Sequence, residues 1–189
     1  MKMLEKRILD DGRALDENTL LVDSFLNHQV DMVLMREIGK AFAKHFRASQ
    51  ITKIVTVESS GIAPAGMTAL TLNVPLVIMK KLASRVVDGQ YYQVNVQSFT
   101  KKTQYELSVL KKYLKEGERV LLIDDFLAMG EAAIGVSKIV REAKCELAGV
   151  GIVIEKTFQP GRDRLDKLGL DVFSLARIAE MSSEGIRFV

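Results

Sequence analysis

The chain predicts an α/β domain, a mostly parallel central sheet flanked by helices, on three observations. From residue 51 onward, strand-like apolar runs alternate with helix-like segments, the pattern of repeated strand–helix units. Val120-Leu121-Leu122-Ile123 and Ala148-Gly149-Val150-Gly151-Ile152-Val153-Ile154 are continuous apolar runs, as strands buried on both faces of a parallel sheet require. The first of these runs straight into adjacent carboxylates, Asp124 and Asp125, then a small-residue turn and a helix-like segment from Ala132 to Ala143. Ligands of open α/β sheets bind just beyond the carboxyl ends of such strands, so the acid pair lies where a ligand is expected.

The elements follow in order. Residues 3–10 fit a short helix ending near Gly12, and Thr19 to Asn27 is apolar but irregular, more like a strand or covering loop. Asp31 is placed to cap a helix through His45, with Val33, Leu34, Ile38, Phe42 and Phe46 at helical spacing. Ile54 to Val57 reads as a strand, Glu58-Ser59-Ser60-Gly61 as a loop, and Ile62 to Leu72 as a helix with Pro64 in its first turn. Pro75 to Met79 is the next strand. Residues 82–104 are polar and carry no helical stripe; a stretch of that length often serves as a flexible lid, although Tyr91 to Phe99 fits a β-ribbon equally well. With no repeat and no Pro/Gly linker, 1–189 is expected to be a single domain.

Composition narrows the function classes. At 48% hydrophobic and 27% charged residues, the chain is globular and not disordered. A net charge of +3, with lysines and arginines spread along the chain, is too weak for a nucleic-acid partner. One cysteine, Cys145, cannot make an internal disulfide, and two histidines supply no metal-ligand cluster. The first residues lack the apolar core of a signal peptide, and no apolar run reaches the length of a membrane span. The expected compartment is the cytoplasm, with no membrane partner.

Three loops follow three predicted parallel strands and should open on one edge of the sheet. Glu58-Ser59-Ser60-Gly61 offers hydroxyls and backbone N–H groups to an anion, although taken alone it serves as readily as a helix cap. Asp124 and Asp125 are costly neighbours, because each disfavours the other's ionised form unless ligand hydroxyls or a cation offset it. The turn after them leads into a helix N-terminus, which suits a phosphate. Glu155-Lys156-Thr157-Phe158 puts a donor and an aromatic ring after a strand, where a flat heterocycle could stack on Phe158 and accept from Lys156. Without context, Phe158 is more often core and Lys156 more often surface.

The run Leu122 to Gly130 resembles the phosphoribosyl-pyrophosphate-binding signature of the type I phosphoribosyltransferases. Val22 to Gln29, Glu58 to Pro64 and Ile154 to Arg162 look like the bacterial xanthine-using members of that family. The resemblance implies the type I fold, with residues 1–30 contributing a small hood over the purine site. It implies transfer of a 5-phosphoribosyl group from phosphoribosyl pyrophosphate to xanthine, with Mg²⁺ held mainly by the pyrophosphate, in a homodimer. Carried over by position, Ala128, Met129, Gly130, Glu131 and Ala132 would cradle the 5-phosphate, and Asp124 and Asp125 would hold the ribose hydroxyls. Ser59, Ser60, Gly61 and the basic Lys81 would serve the pyrophosphate, and Leu20, Asn27, Lys156 and Phe158 the purine. Guanine, hypoxanthine or adenine remain alternative bases, and a phosphoribosyl-pyrophosphate-sensing regulator of the same fold is the alternative class. Met129 and Glu131 depart from the small donors usual in this turn. A carboxylate facing a phosphate would repel it, so Glu131 is expected to turn outward.

Overall fold

The computed structural model describes residues 1–81, 89–98 and 103–189. In chain order the elements are α1 (Lys2–Asp11), β1 (Arg13–Ala14), β2 (Leu20–Leu21), α2 (Met32–His45), β3 (Lys53–Val57), α3 (Ile62–Leu72) and β4 (Leu76–Met79). They continue with β5 (Tyr91–Ser98), β6 (Thr103–Leu110), β7 (Arg119–Leu127), α4 (Glu131–Glu142), β8 (Glu146–Lys156), α5 (Gly161–Asp166), β9 (Val172–Ser182) and β10 (Gly185–Phe188). The central sheet has the order β10-β9-β8-β7-β3-β4, parallel from β9 to β4 with β10 antiparallel at the edge.

Strand alternation divides the interior into two cores. Leu121 and Ile123 of β7 face one core, with Leu34, Ile38 and Phe42 of α2 and Ala65 and Ala69 of α3. Val120 and Leu122 face the other, with Val136, Ile139 and Val140 of α4 and Val96 and Leu107 of the β5–β6 ribbon. Successive side chains point to opposite faces, so an uninterrupted apolar run is what a strand covered on both sides needs. The Asp31 carboxylate caps α2 as expected, accepting from the Val33 and Leu34 N–H groups at 3.0 Å each. Val33 is an exception to the expected stripe: it is exposed, because the buried row runs Leu34, Ile38, Phe42, Phe46 and Val33 lies one residue off it.

Three further regions differ from the sequence expectation. First, β7 continues through the acid pair to Leu127, because the long neighbour β8 still pairs there (Asp124 opposite Ile152, Phe126 opposite Ile154). Second, much of the stretch expected to be a flexible lid is strand. Residues 91–98 pair with 103–110 as an antiparallel ribbon, the alternative reading of Tyr91–Phe99, while residues 82–88 and 99–102 lie outside those described. Reciprocal hydrogen bonds of 2.9 Å between Lys80 and Ser108 tie this ribbon to the end of β4. Its other support is α4, where Gly135 leaves room for Val96; an added Cβ would come within 2.6 Å of the Val96 methyl. Third, Thr19–Asn27 divides into β2, paired with β1, and a π-helical turn at Asp23–Asn27 that buries Phe25 and Leu26. No helix among the described residues is long and apolar enough to cross a membrane.

Candidate active site

The parallel strands β3, β4 and β7 all end at one edge of the sheet, and there a cleft of about 290 Å³ opens. Ser59, Ser60, Lys81, Asp124 and Asp125 line it, together with the whole turn from Ala128 to Ala132. Gly61 lies beneath. A Cβ there would overlap the buried Thr56 hydroxyl, which has no hydrogen-bond partner among the described residues, and would sit 3.1 Å from Asp124 Oδ1. The loop after β3 can therefore pass directly over the acid pair only because position 61 has no side chain.

Asp124 is 8% exposed, whereas Asp125 opens further into the cleft. The Asp125 N–H donates to Asp124 Oδ1 at 3.1 Å, and the Phe126 N–H donates to Asp125 Oδ1 at 2.9 Å. Burial, and then the neighbouring Asp125 charge, push the Asp124 carboxyl well above its ordinary value of 3.8. A carboxyl raised on folding contributes stability below its unfolded pKa, and that contribution is lost as pH rises through the folded pKa. Asp124→Asn should therefore melt at a higher temperature than the parent at pH 7, with the gain shrinking toward pH 4. A gain that is the same at both pH values would show that ionisation of Asp124 is not what strains the ligand-free site.

Positive charge at the cleft is arranged by Glu58. Its carboxylate accepts the Lys81 N–H at 2.7 Å and pairs with the Lys80 ammonium at 3.1 Å, and these contacts hold it below the usual carboxylate range. Lys80 is thus engaged, while the Lys81 ammonium lies 5.7 Å from the Tyr105 ring centre at the cleft wall. The peptide between Glu58 and Ser59 is cis.

The 128–132 turn is built against α5. Gly130 has φ +79°, a left-handed conformation that favours glycine, and it caps α4, whose first residues line the cleft. The Gly161 N–H donates to the Ala128 carbonyl at 2.9 Å. Arg164 of α5 donates to the Met129 carbonyl at 2.6 Å and to Glu131 Oε1 at 2.5 Å. Glu131 is among the residues that line the cleft, and its carboxylate pairs with the Arg164 guanidinium of α5.

A family model described as a phosphoribosyl transferase domain matches residues 29–183 of the chain. The chain belongs to this phosphoribosyltransferase family. A Clostridium botulinum protein named xanthine phosphoribosyltransferase 1 is 56% identical over 189 residues, all of both chains. A Clostridium acetobutylicum protein named xanthine phosphoribosyltransferase is 52% identical, again over all of both chains. Among solved structures, adenine phosphoribosyltransferase from Rhodothermus marinus superposes with a TM-score of 0.67 at 28% identity, covering 76% of this chain and 79% of that one. The Trypanosoma brucei adenine phosphoribosyltransferase has a TM-score of 0.77 at 20% identity, covering 92% and 79%, a likeness of fold alone.

Within this phosphoribosyltransferase, the residues expected at the purine do not gather in the cleft as the others do. Leu20 is buried in the core beneath the amino-terminal segment, and Asn27 ends the π-helical turn, exposed. Lys156 donates to the Asn18 carbonyl and lies 5.2 Å from the centre of the Phe126 ring, which itself lines the cleft. Burial pulls the Lys156 ammonium below its ordinary range, while the charges of Asp16 and Asp125 act the other way. Phe158 is 42% exposed and borders a separate depression along β9 and β10 with Glu180, Met181 and Arg187. Sequence reasoning missed Tyr105, Gln97 and Phe126, all of which line the cleft. Burial and the Asp124 and Glu131 charges push the Tyr105 hydroxyl up to about 12, so it stays a donor at neutral pH. Its only sequence signal was the ribbon reading of Tyr91–Phe99, because Tyr105 reaches the site through pairing between strands.

Proposed function

We propose that the chain transfers the 5-phosphoribosyl group of phosphoribosyl pyrophosphate to xanthine, releasing pyrophosphate and forming xanthosine 5′-monophosphate. The observation that carries this reading is the single cleft in which the acid pair lies between the 128–132 turn and the Ser59–Ser60 loop. Full-length relatives at 56% and 52% identity, both named xanthine phosphoribosyltransferases, support the choice of base.

In this reading the Gly130–Ala132 N–H groups receive the 5-phosphate and Asp124 and Asp125 accept from the ribose hydroxyls. As the bond from the anomeric carbon to pyrophosphate breaks, positive charge develops on the sugar, and carboxylates beneath the ring favour it. Ser59, Ser60, Gly61 and the Lys81 ammonium take up the negative charge on the departing pyrophosphate. Among the described residues, no group of three or more His, Cys, Asp or Glu is placed to hold a metal ion. An acid pair without such a cage fits Mg²⁺ shared with substrate phosphates, with Asp124 or Asp125 as the protein's contribution. When bound, Mg²⁺ would neutralise charge on the pyrophosphate.

Lys156, at the edge of the cleft beside Phe126, is the donor proposed for a purine oxo group. Asn27 completes the proposed purine side, which requires the amino-terminal hood to approach the cleft; Leu20 and Phe158 would reach it only by rearrangement. A donor facing an oxo group favours xanthine over adenine, whose amino group is itself a donor. Lys156→Met should raise KM for xanthine by about tenfold or more, the worth of a charged hydrogen bond, with KM for the sugar pyrophosphate little changed. Equal changes in both constants would remove Lys156 from the base site. The β5–β6 ribbon and the segment around it would act as a lid that keeps water from the activated sugar. A cytoplasmic homodimer completes the proposal. The reading is tested by incubating the protein with phosphoribosyl pyrophosphate, Mg²⁺ and xanthine and separating products by chromatography. Xanthosine 5′-monophosphate is expected, and its absence would overturn the enzyme reading in favour of a sensor.

A further inference from the structure

Glu131 presents a problem that the fold solves from a distance. Glu131, at the first position of α4, is among the residues that line the cleft beside N–H groups suited to a phosphate, and its charge helps push up the Tyr105 hydroxyl of the same cleft. Two like-charged groups a few ångströms apart in a partly desolvated cleft repel, and a phosphate carries more than one negative charge. The guanidinium that meets the carboxylate comes from α5, 33 residues later, where one Arg164 nitrogen donates both to Glu131 Oε1 and to the Met129 carbonyl. Meanwhile Arg162, two residues earlier on the same short helix, points another way. It binds both oxygens of the buried Glu155 at 2.5 and 3.1 Å, and the Ser174 hydroxyl at 3.0 Å. Residues two apart on a helix face roughly opposite sides. One arginine therefore anchors α5 to β8 and β9 while the other reaches the phosphate turn.

We propose that Arg164 is a positioning residue for the 5-phosphate turn: it neutralises Glu131 and holds the Met129 carbonyl, so that the turn offers N–H donors and no net negative charge. The inference rests on the reading that this turn receives the 5-phosphate of the sugar substrate. Isolated surface ion pairs contribute little to stability, and Arg164 and Glu131 are 34% and 22% exposed. The effect is therefore expected on ligand affinity and not on melting.

The test compares the parent with Arg164→Met, Glu131→Gln and the double variant, reading kcat and KM for phosphoribosyl pyrophosphate. Calorimetry with ribose 5-phosphate gives Kd independently of turnover. Arg164→Met should raise that KM and the ribose 5-phosphate Kd by about tenfold with kcat within about twofold, because the unpaired carboxylate opposes binding before and during reaction alike. Glu131→Gln in the Arg164→Met background should bring both constants back to within about threefold of the parent, since it removes the repelling charge. A double variant no better than Arg164→Met, or an Arg164→Met with unchanged Kd, would overturn the proposal. If Arg164→Met does not fold, Glu131→Gln alone decides: a Kd equal to or below the parent's supports it, and a several-fold rise contradicts it. A parent that binds ribose 5-phosphate but makes no nucleotide counts against the catalytic reading alone, and the Kd comparison still decides the role of Arg164.

Discussion

Asp125→Asn is expected to lower turnover by about 100-fold or more without unfolding the protein, the scale seen when one preorganised charge-stabilising group is lost. Asp125 lines the cleft, and its carboxylate accepts the adjacent Phe126 N–H at 2.9 Å. In the proposed reading its remaining acceptor capacity serves the ribose hydroxyls. Removing the charge takes away what favours a cationic sugar, while the amide keeps the shape and the hydrogen bond. Cys145, next to the Lys115 carbonyl where α4 gives way to β8, is the matched control. Cys145→Ser should leave turnover within about twofold, as surface changes away from special features do. Equal and small effects in the two variants would take the acid pair out of the reaction.

Gly161→Ala is expected to destabilise the protein by about 1–3 kcal/mol, the cost of overpacking a filled site, and to weaken binding of phosphoribosyl pyrophosphate at the same time. An added Cβ at Gly161 would overlap the Ala128 carbonyl oxygen and come within 2.8 Å of Leu127 Cδ1 and 3.0 Å of the Gly130 nitrogen. Most of these are backbone atoms of the 128–132 turn, so relief requires the turn itself to move. The same shift would lengthen the Gly161–Ala128 hydrogen bond, now 2.9 Å, and carry Arg164 away from Glu131. Gly185→Ala is the control, because a Cβ there meets nothing within 4 Å. Urea midpoints and KM for the sugar pyrophosphate should both change at position 161 and neither at 185. A stability loss with KM unchanged would show that the turn tolerates displacement.

What was legible in the sequence was what local patterns encode. Val120 to Ile123 and the β8 run are uniformly apolar because both faces of their sheet are covered, and Asp31 caps α2 because its carboxylate finds two N–H groups close by. The acid pair, the turn after it and the Ser59–Ser60 loop converge because parallel strands must open their following loops at one edge. The misses depend on partners distant in sequence. The end of β7 is set by the length of β8, Tyr105 enters through the β5–β6 pairing, and Glu131 is held by an arginine in another element. The carboxyl-terminal hairpin of β9 and β10 drew no expectation at all, since its polar and apolar residues mix without a turn dipeptide to mark it. For the base site, Lys156 lies near the cleft while Leu20 and Phe158 face elsewhere, so residue type alone did not give their direction.

The most direct test of the central claim is a comparison of kcat/KM for xanthine, guanine, hypoxanthine and adenine, each with phosphoribosyl pyrophosphate and Mg²⁺. Nucleotide formation is expected with xanthine at the highest kcat/KM, with adenine the poorest of the four because its amino group meets the Lys156 donor. Turnover of adenine alone would contradict the assigned base contact, and turnover of none would contradict phosphoribosyl transfer at this cleft.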